Sequence, residues 1–168
     1  MTTIWIVALE PIDQRYTKQW FTDIPNILAA NLSKRQKSWK IRTIQGSSIP
    51  EKTTTGAFLD FANTNYYKGT QVASIAQLFS KGEIKKNDKF LVTDFWHFGI
   101  TAIKYMSELL DIPVEIHSIA HAGAYDPTDI LGFKMSKNWP SPQEKAWFHA
   151  CDFVYFGSEF HRQLFLKN

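Results

Sequence analysis

The chain has one cysteine, Cys151, among its 168 residues. That excludes an internal disulfide framework and any metal site built from cysteine alone. Glycine is scarce, with eight in all. None forms a Gly-x-Gly-x-x-Gly run after the first apolar stretch, which argues against a pyrophosphate cradled on the first turn. Long apolar runs are missing as well. Ile4 to Leu9 is too short for a membrane span or for the core of a secretion signal, and Met1-Thr-Thr carries no basic start. The expectation is a cytoplasmic protein (host cytoplasm for a viral one) that does not enter a membrane. Charge of one sign is not abundant either. Nineteen Lys and Arg against sixteen Asp and Glu leave +3, which permits an anionic partner without demanding one. Internal repeats, low-complexity tracts and linkers are absent.

What is present suits one globular domain spanning residues 1–168. Hydrophobic residues make up 44% and charged residues 21%, and 168 residues bury a sizeable core. Aromatics reach 15%, with thirteen Phe and six Trp, which implies thick packing or an aromatic surface. The apolar runs alternate with helical periodicity, the pattern of an α/β protein with an open, mostly parallel Rossmann-like sheet flanked by helices. The expected strands are Ile4–Leu9, Trp39–Ile44, Lys89–Phe95, Val114–Ala120 and Phe153–Phe156. Helical spacing is read over Lys18–Leu32, where Pro25 should kink or split the helix, and over Thr70–Phe79. Another helix should follow Gly99, Thr128 should cap a short one, and Glu159–Lys167 should begin the last. Ser141-Pro142-Gln143-Glu144 reads as a helix start, with Ser141 as the cap and Glu144 closing a capping box. Gln45 to Gly69 reads as a long irregular loop over the sheet's carboxyl edge.

Chemistry-bearing residues gather at the strands' carboxyl ends, where open α/β sheets bind ligands. If Lys89–Phe95 lies on one side of the first strand and Trp39–Ile44 on the other, the order reverses there. Glu10, Asp94, His97 and His121 would then line one cleft. Asp94 is placed to orient a histidine, to accept from an acceptor hydroxyl, or to cap the helix near Phe98. Asp126, before Pro127 in a Gly- and Tyr-containing loop, is a general-base candidate or a turn former. His121 stands before small residues that allow a ligand to approach. From the residues alone it is open to bonding loop backbone or ligating a metal, besides the role that a family resemblance implies below. No metal site is expected, because His117 and His121 sit about 13 Å apart along a strand. Ser158 and Arg162, around a helix start, could hold an anion. Lys34, Arg35, Lys37 and Lys40 form a basic cluster that is a solvated helix end or a phosphate patch. Tyr66 and Tyr67, with Trp39, could stack on nucleic-acid bases. Cys151 reads as structural.

The segment Ala150-Cys-Asp-Phe-Val-Tyr-Phe-Gly-Ser-Glu-Phe-His-Arg162 resembles the last strand and helix start of the amino-terminal domain in GT-B-fold glycosyltransferases. Asp94 with His97, and His121 with Gly123, resemble the two earlier strand ends of that family. The resemblance covers about residues 89–165. It implies an acceptor-side half with no tightly bound cofactor. A nucleotide sugar would be the donor of the complete enzyme, held by a second Rossmann-like domain or chain. His121, Asp94 and Asp126 would be catalytic, and Glu10, His97, Tyr66 and Tyr67 would bind acceptor. The short, basic, aromatic-rich chain also resembles bacteriophage enzymes that glycosylate modified DNA, which makes DNA a candidate acceptor. Two other readings compete: a nucleic-acid-binding module without catalysis, and a stand-alone hydrolase using His97, His121 and Asp126.

Overall fold

The structure, a computed structural model, describes residues 1–13, 15–47, 59–135 and 138–167. Five parallel strands form one sheet: β1 (Thr3–Val7), β2 (Lys40–Ile44), β3 (Lys89–Val92), β4 (Glu115–Ala120) and β5 (Phe153–Phe156). Their spatial order is β2-β1-β3-β4-β5, so the winding reverses between β1 and β3 as the sequence pattern implied. Among the described residues six helices connect and flank them: α1 (Tyr16–Lys34), α2 (Phe61–Ser80), α3 (Gly99–Leu109), α4 (Ile130–Lys134), α5 (Pro140–Ala150) and α6 (Glu159–Leu166).

The alternation of β1 explains the two layers. Ile4, Ile6 and Ala8 face α1, meeting Phe21, Ile24, Leu28 and Leu32. Trp5 and Val7 face the larger core, packed with Ile75 and Phe79 of α2, Ile100 and Ile103 of α3, Trp147 of α5 and Phe165 of α6. β1 is therefore buried on both faces and reads as a continuous apolar run. Pro25 neither splits nor ends α1, which runs through it. The apolar stripe on β1 offsets the one backbone bond that the proline removes.

Three boundaries differ from the sequence pattern for physical reasons. β3 ends at Val92, not Phe95. Beyond it the Thr93 hydroxyl accepts from Leu9 N at 2.9 Å and donates to the Val7 carbonyl at 3.2 Å, bridging β1 and β3 as they part. Next, α2 starts nine residues before Thr70, capped by Asp60, whose carboxylate accepts from Asn63 N. The part of the expected loop from Phe61 to Gly69 is thus helix. Its buried stripe is Thr64, Tyr67, Lys68 and Gln71, mostly polar, so hydrophobic periodicity does not reveal it. The loop residues 48–58 lie outside the described residues. Lastly, α5 starts at Pro140, with Trp139 rather than Ser141 at the cap position and no side-chain cap bond. Glu144 makes no capping box there; it is turned inward.

Gln71 ties these elements together. Its side chain is fully buried, and its Nε2 donates to Ala8 O and Ile44 O, both at 2.8 Å, at the carboxyl ends of β1 and β2. Its Oε1 faces His97 Nε2 at 3.1 Å. Replacing Gln71 by Leu would strand the Ala8 carbonyl and one imidazole N–H, and would leave Ile44 O with the Ala8 amide alone, at 3.3 Å. We expect Gln71→Leu to lower unfolding free energy by about 3 kcal/mol, since each unsatisfied buried group costs about 1–3 kcal/mol. Urea unfolding followed by tryptophan fluorescence measures it. A loss under about 0.5 kcal/mol, the range of ordinary surface substitutions, would show that water replaces the clamp.

Candidate functional site

A cavity of about 670 Å³ opens over the carboxyl ends of β1, β3 and β4, at the reversal of strand order. That volume is in the usual range for small-molecule sites, roughly 300–1,000 Å³. Glu10, Asp94 and His121 all line it, each delivered by the turn just after its strand. Arg15, Tyr16 and Thr17 reach it from the start of α1, and Thr64 and Lys68 from the polar stripe of α2. Aromatic and aliphatic groups close the other side, among them Phe61, Phe98, Ile130 and Trp139.

The polar wall is internally ordered. Glu10 is 1% exposed; its Oε1 accepts from Thr64 Oγ1 at 3.0 Å and lies 3.8 Å from Arg15 Nη1. Glu10 Oε2 is buried and meets no partner among the described residues, as do Thr17 Oγ1 and Trp147 Nε1, whose residues also line the cavity. Asp94 Oδ2 accepts from Lys68 Nζ at 2.6 Å, and Oδ1 from Trp96 N at 3.1 Å. Burial alone would raise the Asp94 pKa. The Lys68 charge and hydrogen bond, with help from His121 and the Trp96 amide, outweigh it and hold the carboxyl below its ordinary range. Asp94 is thus an anion, and it does not cap α3, whose cap position is Phe98. Lys68 Nζ also donates to Trp96 O at 2.7 Å, which pins the loop carrying Asp94 to α2.

His121 Nε2 lies 2.7 Å from the Thr93 carbonyl. A carbonyl only accepts, so Nε2 carries the proton, and in the neutral ring Nδ1 keeps the lone pair. The ring packs between Trp20 and Tyr16, at centroid distances of 4.6 and 5.6 Å. Tyr16 itself is raised in pKa by burial first and then by Asp94, so it stays a phenol donor. The small residues after His121 serve the fold. A side chain on Gly123 would collide with Glu144 Oε1 and the Tyr125 ring. Glu144 accepts from Trp96 Nε1 and Ala124 N, both at 2.7 Å, and so ties α5 to the tips of β3 and β4.

Other expected site residues lie elsewhere. His97 is buried, 3% exposed, and is not in the cavity wall. Gly99 N donates to its Nδ1 at 2.9 Å, and its Nε2–H donates to Gln71 Oε1. Burial and then the Lys68 charge push its pKa down to about 3. Tyr67 is fully buried, with burial raising its phenol to about 12, so it offers no stacking face. Tyr66 is exposed on α2 but does not line the cavity. Asp126 accepts from Thr128 Oγ1 and N at 2.7 and 2.8 Å, which hold its pKa down, and it lies outside the cavity wall. It forms the turn, while Asp129 caps α4 in place of Thr128. A hydrolytic set of His97, His121 and Asp126 is therefore not assembled.

Ser158 accepts from His161 N as the cap of α6, and Arg162 makes a two-pronged pair with Glu159 at 2.7 and 2.8 Å. That helix start is satisfied by its own residues. Trp39 packs against the α1 layer with Lys37 and Lys89 over its ring. Burial raises Cys151 to about 12, which leaves a thiol and no nucleophile. Among the described residues no group of three His, Cys, Asp or Glu could hold a metal ion, and no helix is long and apolar enough to cross a membrane. Lys68, Tyr16, Thr17 and Trp139 are the site residues that periodicity could not pick out; only the i, i+4 pair of Thr64 and Lys68 hinted at a shared face.

No protein-family model, curated protein or solved structure matches the chain. What the fold and cavity define is an open Rossmann-like α/β domain, compatible with nucleotide-binding Rossmann enzymes in general.

His97 supplies a pH test of this geometry. Between its ordinary pKa of 6.5 and the native value of about 3, the unfolded chain binds a proton that the folded chain refuses. Its stabilising effect is complete above pH 6.5 and declines on acidification, by about 1.4 kcal/mol per pH unit for one group. We expect the stability gap between wild type and His97→Asn to shrink by that amount from about pH 6 to about pH 5 in urea titrations. A gap that does not change with pH would mean the folded protein accepts the proton.

Proposed function

We propose that this domain binds a hydroxyl-bearing acceptor at the carboxyl edge of its sheet and is the acceptor-side half of a glycosyltransferase. The observation that carries the reading is His121. Its tautomer is set by the Thr93 carbonyl, it lines the cavity, and the Asp94 anion is close enough to interact with it. Such an imidazole is suited to general-base work. Glu10 Oε2 offers a buried acceptor to orient the hydroxyl. In the reaction the acceptor oxygen bonds to the anomeric carbon of the sugar. The bond from that carbon to the diphosphate oxygen breaks, and the nucleoside diphosphate leaves with the electron pair. The acceptor proton passes to His121 Nδ1, and Asp94 stabilises the imidazolium. The nucleotide sugar is held by a second Rossmann-like domain or chain, because transfer needs both reactants oriented in one dry site.

The chain alone should bind uridine and guanosine diphosphate sugars no tighter than about millimolar in calorimetry and should not turn over. With a donor-binding domain supplied on a second polypeptide, labelled sugar should be transferred. His121→Asn should then lower kcat by about 10²–10⁴ with little change in acceptor KM. Micromolar donor binding or turnover by the chain alone would defeat the half-enzyme reading, and an indifferent His121→Asn would defeat the assigned base.

A further inference from the structure

We infer that the molecule bound in this cavity is a small, uncharged alcohol with a flat apolar body, seated hydroxyl first, and not a nucleic-acid strand. The inference rests on the acceptor reading above and names its substrate class. Two features of the cavity wall carry it. At the strand tips, Glu10 Oε2 is buried without a partner among the described residues and needs a donor. Arg15 Nη1, 3.8 Å from the same carboxylate, disfavours a cationic donor such as an ammonium. A neutral O–H satisfies the oxygen without that repulsion.

Elsewhere in the wall Phe61, Phe98, Ile130, Leu131 and Trp139 supply rings and branched chains, which suit a flat hydrocarbon body. The charged groups in the wall balance. Glu10, Asp94 and Asp129 stand against Arg15, Lys68 and Lys134. Among the described residues there is no cationic excess to neutralise a phosphate chain.

The basic cluster is in the wrong place for a strand held at this cavity. Lys40 pairs with Thr3 at the amino ends of β2 and β1, and Lys34 and Arg35 sit at the foot of α1, which returns to that same end. The cavity lies past Val7, at the opposite edge of the sheet. The first and last residues of that five-residue strand alone are about 13 Å apart, at about 3.3 Å per residue.

The test is calorimetry of the whole chain with 2-naphthylmethanol and its hydroxyl-free counterpart 2-methylnaphthalene, alongside single- and double-stranded oligonucleotides. The alcohol should bind at least about tenfold tighter than the hydrocarbon, because its O–H meets a buried carboxylate. Its affinity should not change between low and high salt. Glu10→Gln should erase most of that preference, and Trp139→Ala, at a half-exposed position, should weaken both ligands by about tenfold. Should either variant misfold, the alcohol–hydrocarbon pair and the salt series on wild type still decide. Equal binding of the pair, or an oligonucleotide that displaces the alcohol in a salt-dependent way, would overturn the inference. Alcohol binding without sugar transfer in the presence of a donor domain would keep it and remove the transferase reading. Sugar transfer to an oligonucleotide, with no alcohol binding, would do the reverse.

Discussion

The Gln71 amide is the constraint on which the rest of the structure depends. β1 and β2 end where the backbone must leave the sheet; there the Ala8 carbonyl depends on Gln71, and the Ile44 carbonyl otherwise meets only the Ala8 amide, at 3.3 Å. One buried side chain on α2 accepts the task for both. The same group receives the His97 N–H, so the turn after β3 is fixed to the turn after β1 through a helix. A buried amide with all its hydrogen bonds made is stabilising; the same amide with one missing is costly. The carboxyl edge of the sheet therefore forms as a unit. Asp94 and Glu10 hold their positions because their loops are bound to α2 on either side, by Lys68 and by Thr64.

That polar stripe also explains the cavity. An apolar α2 would close onto the parting strands and fill the crevice. Instead Thr64, Lys68 and Gln71 reach across it as hydrogen-bonding groups. The Lys68–Asp94 pair is nearly out of water on the Lys68 side. Such a pair contributes little net stability, because desolvation offsets most of the attraction. Its effect here is positional: it keeps Asp94 charged and fixed next to His121.

The strands were legible as apolar, β-branched and aromatic runs between helical patterns, and Phe153–Phe156 needed no adjustment at all, although Phe153 and Tyr155 are half-exposed. The reversal between β1 and β3 was a condition that the strand order meets. The first half of α2 was hidden for the opposite reason. Its inward face is Thr, Lys and Gln, its neighbours Asn63, Asn65 and Gly69 are weak helix formers, and hydrophobic periodicity has nothing to report there. Glu144 misled in the same way. Its spacing after Ser141 imitates a capping box, but Pro140 already starts the helix, and the carboxylate turns inward to Trp96 and Ala124. Local spacing describes what a residue can do with its neighbours in sequence; burial decided otherwise at both places.

The two histidines near the switch point make the same distinction in chemical form. His97 and His121 both carry the proton on Nε2, one facing Gln71 and the other the Thr93 carbonyl. They differ at Nδ1. His97 spends that lone pair on Gly99 N in a dry core, and burial holds it neutral to about pH 3. It is part of the frame. His121 sits at the cavity wall against two aromatic rings, within electrostatic reach of the Asp94 anion. A histidine that cannot take a proton without breaking the fold is unavailable for proton transfer. One whose second nitrogen is left out of the scaffold can accept a proton and return it. The strand pattern placed both residues at the right edge of the sheet, and only the surroundings of Nδ1 separate the structural residue from the reactive one.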